Sequence, residues 1–226
     1  MQRLLGQTIS PAVARQLWEK RDEILTEGKF EGRLINVTIL FVDICNFTTI
    51  AEKKPPADLL EWLNRGISTI VPLITERGGI VNKFTGDGLL AVFGAPITQG
   101  ERQDAKAALE ASLNIQRVLE QLNREFALEG SHEMTMRIGV HTGSAIVGTI
   151  GSPERLEYAV IGDAVNCASR IENLKLNHPN RVCRVLVSSE TRSAYDSKDY
   201  LWIEWGNVII RGREESICVS ELTGKI

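Results

Sequence analysis

Residues 80–93 read Ile80-Val81-Asn82-Lys83-Phe84-Thr85-Gly86-Asp87-Gly88-Leu89-Leu90-Ala91-Val92-Phe93. Two apolar segments, Ile80–Phe84 and Leu89–Phe93, flank an Asp-Gly turn, the pattern of a β-hairpin. What precedes this hairpin decides the fold. Val37–Asp43 is rich in apolar and β-branched residues and reads as a buried strand that ends on a carboxylate. A helix is expected from about Ala57 to Glu76, closed by Gly78-Gly79. A right-handed crossover through that helix makes the first strand and the first arm of the hairpin parallel. The end of that strand and the hairpin tip then share one edge of the sheet. Asp43 and Asp87 become spatial neighbours.

Farther along, Glu101 to about Leu128 forms a long helix rich in alanine and leucine. Met134–Thr142 and Ala145–Thr149 read as a second hairpin turned by Gly143-Ser144. A helix from about Ala164 to Leu176 follows, then short strands near Val185–Val187, Leu201–Glu204, Asn207–Arg211 and Ile217–Ser220. The order predicts an α+β fold with a ferredoxin-like βαββαβ core, extra C-terminal strands, and an antiparallel-containing sheet flanked by helices. Upstream, Ser10-Pro11 is an N-cap followed by proline at the first helical position. The amphipathic helix it starts runs through Leu25 and ends near Gly28. Residues 1–31 thus read as a separable connector, and residues 32–226 as the main domain.

The 226 residues are 43% apolar and 24% charged, with a formal net charge of -3. That balance gives no electrostatic case for nucleic-acid binding. No apolar stretch is long enough to span a bilayer and no signal-peptide pattern opens the chain, so a cytoplasmic location without membrane insertion is expected. Cys45, Cys167, Cys183 and Cys218 lack CxxC spacing and read as reduced thiols. His132, His141 and His178 are scattered, which argues against a histidine metal site.

A carboxylate buried at a strand end is costly unless a cation or donors satisfy it. Two of them, with oxygen-only chemistry, suit a hard cation such as magnesium or manganese. The bland alternative is that Asp87 only makes its turn and Asp43 caps the next segment. After Asp43 the chain continues Ile44-Cys45-Asn46-Phe47-Thr48 into a loop and helix, where backbone amides can hold phosphate oxygens.

Four stretches resemble one family: Ile39–Thr48, Gly78–Pro96, Met136–Gly151 and Tyr158–Glu172. In this order they are similar to the catalytic domains of class III nucleotidyl cyclases, of the bacterial homodimeric adenylyl type. The resemblance runs from about Asn36 to Glu221. It implies that Asp43, Asp87 and the Ile44 carbonyl bind two Mg2+ or Mn2+ ions per active site. It implies that Asn166 orients the ribose and that Arg170 stabilises charge on the α-phosphate. Arg137 and Arg211 match basic positions for the terminal phosphates; the family usually has lysine at the second. By itself, Arg170 also reads as a surface ion pair with Glu157 or the turn around Glu172.

Lys83 matches the purine-reading position and Ala159 a second one, seven residues before Asn166. An ammonium can donate to adenine N1, whereas guanine presents an N–H there. Alanine offers no side-chain donor or acceptor, so the resemblance implies ATP as substrate with GTP tolerated; a plain salt bridge is the alternative for Lys83. At Cys45-Asn46 the family often has glycine before Phe47, and asparagine adopts unusual backbone angles better than most residues. The implied reaction is attack of the ribose 3′-hydroxyl of ATP on its own α-phosphate, giving cyclic AMP and pyrophosphate, with Asp43 as one candidate for taking the proton. The implied assembly is a head-to-tail homodimer, with the cytosolic catalytic part of a larger sensor as the implied setting. A guanylyl or dual-specificity cyclase, or a silent nucleotide-binding module, is the alternative.

Overall fold

The structure is a computed structural model, and it describes residues 25–26, 29–152, 155–175, 182–196, 198–209 and 216–226. The expected N-terminal helix lies outside the described residues except at its end. There Leu25–Thr26 (β1) pairs antiparallel with Lys29–Phe30 (β2), with Leu25 opposite Phe30, so Leu25 is not helical. The main body follows as β3 (Arg33–Ile44), α1 (Phe47–Ala51), α2 (Pro56–Thr75), β4 (Ile80–Phe84), β5 (Leu89–Phe93) and α3 (Glu101–Leu128). Next come β6 (Met136–Ser152), β7 (Arg155–Ile161), α4 (Asp163–Glu172), β8 (Cys183–Ser188), α5 (Ser189–Ala194), β9 (Tyr200–Val208) and β10 (Ile217–Lys225).

Among the described residues, eight strands form one sheet in the order β4-β5-β3-β6-β8-β10-β9, with β7 paired to β6. Strands β3 and β4 are both antiparallel to β5, which lies between them, so they run parallel to each other as the crossover requires. The first four strands of this order are the expected ferredoxin-like core. Along β3 the side chains alternate between two apolar layers. Leu40, Val42 and Ile44 pack with Trp62, Ile70 and Ile74 of α2 and Leu109, Ile115 and Leu119 of α3. Val37 and Ile39 pack on the other face with Val160 of β7 and Ala164 and Ala168 of α4. Coverage on both faces explains the unbroken apolar run before Asp43. Each such buried aliphatic contributes about 1.5–3 kcal/mol.

Three expectations for the main body need correction. Gly143-Ser144 is not a turn: β6 runs straight through it and pairs with β3 from Arg33↔Val147 to Ile44↔Met136. The hairpin is formed by β6 and β7, closing beyond Ser152↔Arg155. Gly143 is there for close approach, since a Cβ would stand 3.0 Å from His141 Nε2 and 3.3 Å from Ala164 Cβ. Likewise the two strands expected around Trp205-Gly206 are the single strand β9. Its ladder with β10 shifts between Gly206 and Glu204, leaving Trp205 as the extra residue of a bulge. The helix expected to reach Leu176 ends at Glu172.

Among the described residues no helix is long and apolar enough to cross a membrane. Gly88, next to the turn, packs the hairpin onto the end of β3. A Cβ there would collide with the Val42 carbonyl and stand 3.2 Å from Asp43 Cα. The obstruction is backbone, which cannot rotate away. Gly88→Ala is expected to destabilise the fold by about 1–3 kcal/mol. Urea denaturation measures this, and an unchanged midpoint would contradict the close approach.

Candidate active site

Asp43 lies one residue before the end of β3, and Asp87 lies in the turn between β4 and β5. The contact of Gly88 with the Asp43 backbone fixes the tip of this hairpin beside the strand end. Burial pushes the Asp87 carboxyl up, and the negative charge of Asp43 pushes it further. The two carboxylates are therefore close enough to repel. An oxygen-only pair strained by like charge fits a hard divalent cation, and the Ile44 carbonyl follows directly at the strand end. Among the described residues no group of three or more His, Cys, Asp or Glu side chains is placed to hold a metal, so a cation held by these two carboxylates would need backbone, solvent or substrate oxygens to complete its shell.

Arg137 stands opposite Asp43 across the β3–β6 ladder. Its Nη2 donates to Asp43 Oδ2 at 2.6 Å, and its Nε lies 2.9 Å from Glu172 Oε1. The second contact is an ion pair without hydrogen-bond alignment. The Glu172 side chain is only 2% exposed. Burial pushes its pKa up to about 7, while Arg137 pulls the other way. Arg184 donates to the carbonyls of Glu172 and Leu174 at 3.0 and 2.7 Å, closing the end of α4 with a cation. Arg137, expected to hold terminal phosphates, is thus engaged within the chain by two carboxylates. Arg211 lies outside the described residues.

The loop after Asp43 draws on the backbone tolerance of asparagine. Asn46 has φ 57° and ψ 25°, and is the non-glycine residue with positive φ among those described. Left-handed backbone is tolerated by glycine and, among other residues, best by asparagine and aspartate. The Cys45 amide donates to the Thr135 carbonyl at 2.8 Å. That amide is therefore already used, and Asn46, Phe47 and Thr48 remain as the candidate phosphate-facing amides. Burial pushes the Cys45 thiol up, which keeps it protonated.

The remaining candidates sit on β4, β7 and α4. Lys83 Nζ is 3.3 Å from Glu157 Oε1, a surface ion pair. Ala159 is 3% exposed. On α4, Ala164, Cys167, Ala168, Ile171 and Glu172 are buried, leaving exposed Asn166 and half-buried Arg170 on the outward side. Arg170 forms no ion pair with any described residue. The acids considered for it, Glu157 and Glu172, pair instead with Lys83 and Arg137. Arg170 and Glu172, two residues apart, point about 200° apart around the helix. Sequence reasoning gave Glu172 and Arg184 no place in the site. The available signal was a lone acid within the apolar face of α4, since such a buried charge demands a partner.

Comparison with known proteins identifies the family and the fold. Residues 31–220 match the family described as the Adenylate and Guanylate cyclase catalytic domain. Adenylate cyclase 1 of Rhizobium meliloti is 33% identical over 161 residues, covering 70% of this chain and 24% of that protein. The chain thus spans about a quarter of the length of that relative. The crystal structure of the adenylyl cyclase CyaB from P. aeruginosa superimposes with TM-score 0.80 at 27% identity, covering 86% of this chain and 97% of that one. The guanylyl cyclase Cya2 superimposes with TM-score 0.76 at 29% identity, covering 86% and 95%.

Glu172 provides a pH test of the buried network. Its folded-state value of about 7 exceeds the ordinary 4.5, so between these the folded chain holds the proton more tightly than the unfolded chain. Stability relative to Glu172→Gln should fall as pH rises through that window, by roughly 3 kcal/mol at most. Urea titrations below and above the window measure it. A difference independent of pH would contradict a buried, proton-binding Glu172.

Proposed function

Because the chain belongs to the class III nucleotidyl cyclase family, we propose that it converts ATP to 3′,5′-cyclic AMP and pyrophosphate as a head-to-tail homodimer. Residues 32–226 form the catalytic domain in this reading, and residues 1–31 connect it to the remainder of a longer cytoplasmic or cytosol-facing protein. The observation that carries the reading is the two-sided use of α4. Its inner face sends Glu172 to the network at Asp43, while Asn166 and Arg170 face outward without ionic partners. A side chain pointing about 200° away cannot serve the carboxylates that Glu172 approaches. It is free to serve those of a second copy.

An exposed apolar row supports the same assembly. Leu34, Ile146 and Ile161 are direct cross-strand neighbours on β3, β6 and β7 and are 71%, 52% and 52% exposed. A contiguous row of this kind marks a docking surface. Two copies joined by a two-fold axis would present two equal composite sites.

Within each site, Asp43, Asp87 and the Ile44 carbonyl would hold Mg2+ or Mn2+. These ions supply Lewis-acid stabilisation of phosphate charge and ease deprotonation of the attacking hydroxyl. The protein positions the rest. The bond from ribose O3′ to the α-phosphorus forms as the bond from that phosphorus to the bridging β-phosphate oxygen breaks; the proton passes from O3′ to Asp43 or to solvent, and pyrophosphate departs. Arg137, anchored through Nε by Glu172, keeps its terminal nitrogens for exchange between Asp43 and the triphosphate. Asn166 of one copy orients the ribose, and Arg170 offers a fork of donors to the transition-state oxygens. Asn46 to Thr48 and Arg211 complete the phosphate contacts, and Lys83 with Ala159 faces the purine. The alternative is a dual-specificity cyclase, favoured by the lack of any polar side-chain atom at Ala159.

Arg170→Ala is expected to lower kcat by about 10²–10³. Asp87→Ala should remove turnover by loss of metal binding. Mixing the two variants should restore activity, since one of the two composite sites in a mixed dimer contains neither substitution. Product formation from ATP with magnesium or manganese is the measurement. No recovery in mixtures with demonstrated subunit exchange would overturn the shared site.

A further inference from the structure

Ala159 leaves a gap where a polar contact to the purine is expected, and a carboxylate stands next to that gap. Glu157 and Ala159 are two residues apart on β7, so they project from the same face of the strand. Glu157 Oε1 lies 3.3 Å from Lys83 Nζ, and both side chains are 46% exposed, open to a ligand. The meeting is built into the backbone. Strand β4 carries a register shift between Val81 and Lys83 that leaves Asn82 as an extra residue. Such a bulge re-aims side chains that strict alternation would send to opposite faces. Asn82 Nδ2 donates to the Tyr158 carbonyl at 2.7 Å, and Lys83 reaches Glu157 beside it. Two adjacent residues of β4 thereby grip two adjacent residues of β7.

We propose that Glu157 is the second base-reading residue of this site, accepting a hydrogen bond from the exocyclic amine of adenine while Lys83 donates to N1. The inference rests on the cyclase reading above and on Lys83 as the purine contact. An exposed lysine–glutamate pair contributes little to stability, so folding alone gives no reason for a bulge that assembles one. An ammonium beside a carboxylate offers one donor and one acceptor, the complement of adenine N1 and its 6-amino group. Guanine reverses that order, with a donor at N1 and an acceptor at O6. It would set Lys83 against the N1 hydrogen and Glu157 against O6. The hydrogen bond from Asn82 to Tyr158 fixes the two strands, so the pair cannot readily exchange places. Selectivity for ATP then comes from a donor–acceptor order that Ala159 takes no part in.

The test compares initial rates with ATP and with GTP for the full chain and for Glu157→Ala, Glu157→Gln and Lys83→Ala. Glu157→Ala should lower kcat/KM for ATP about tenfold, mainly through KM, and change the value for GTP little. Glu157→Gln, which keeps an acceptor oxygen, should retain most of the ATP preference, and thermal unfolding of both variants should match the wild type. An ATP-to-GTP ratio left unchanged by Glu157→Ala but altered by Lys83→Ala would overturn the role of Glu157 and leave the cyclase reading standing. An equal loss for both nucleotides, or a wild-type preference for GTP, would also overturn it. Wild type that forms neither cyclic nucleotide would overturn the cyclase reading itself.

Discussion

Asp43 and Asp87 repel each other, and the fold is arranged to hold them together regardless. The end of β3 and the tip of the β4–β5 hairpin meet because β5 lies between two parallel strands, and Gly88 allows the hairpin to press against the β3 backbone. The repulsion is opposed by Arg137, which bonds to Asp43 and is itself held by Glu172. Arg137 and Asp43 stay partly open to solvent, which screens their pair, whereas Glu172 is buried and relies on Arg137 to offset the cost of carrying its charge there. Apolar layers on both faces of the sheet supply the rigidity that keeps these groups in register.

Helix α4 ties this network to the molecular surface. Ala164 and Ala168 pack into the second apolar layer, and Glu172 reaches the carboxylate edge from the last turn. Arg184 closes that end of the helix. Asn166 and Arg170 leave from the other side on the same rigid element. Transition-state stabilisation depends on donors that need no reorganisation during the reaction. A helix anchored by buried alanines and an ion pair is a better platform for such donors than a loop would be.

Much of this was legible from local pattern. The apolar run before Asp43, the Asp-Gly hairpin and the long alanine-rich helix emerged at the expected positions, because periodicity and turn chemistry act over a few residues. At Asn46 the tolerance of asparagine for unusual angles was legible for the same reason, whereas its left-handed conformation came from the structure. Gly143-Ser144 was misread because a glycine required by the approach of a helix looks, in sequence, like one required by a turn. Trp205-Gly206 was misread because a bulge and a loop share their composition. Arg137, Glu172, Lys83 and Glu157 were all visible as charges, but the sequence did not say which acid meets which base.

The sequence by itself determined the family, the succession of elements and the identities of the chemical groups, since these depend on neighbours along the chain. Only the tertiary structure decided how the charges are matched and which way each side of α4 faces. Coulomb attraction and burial act through space, so whether Glu172 answers Arg137 or Arg170 depends on how the helix docks against β6, which no local run of residues specifies.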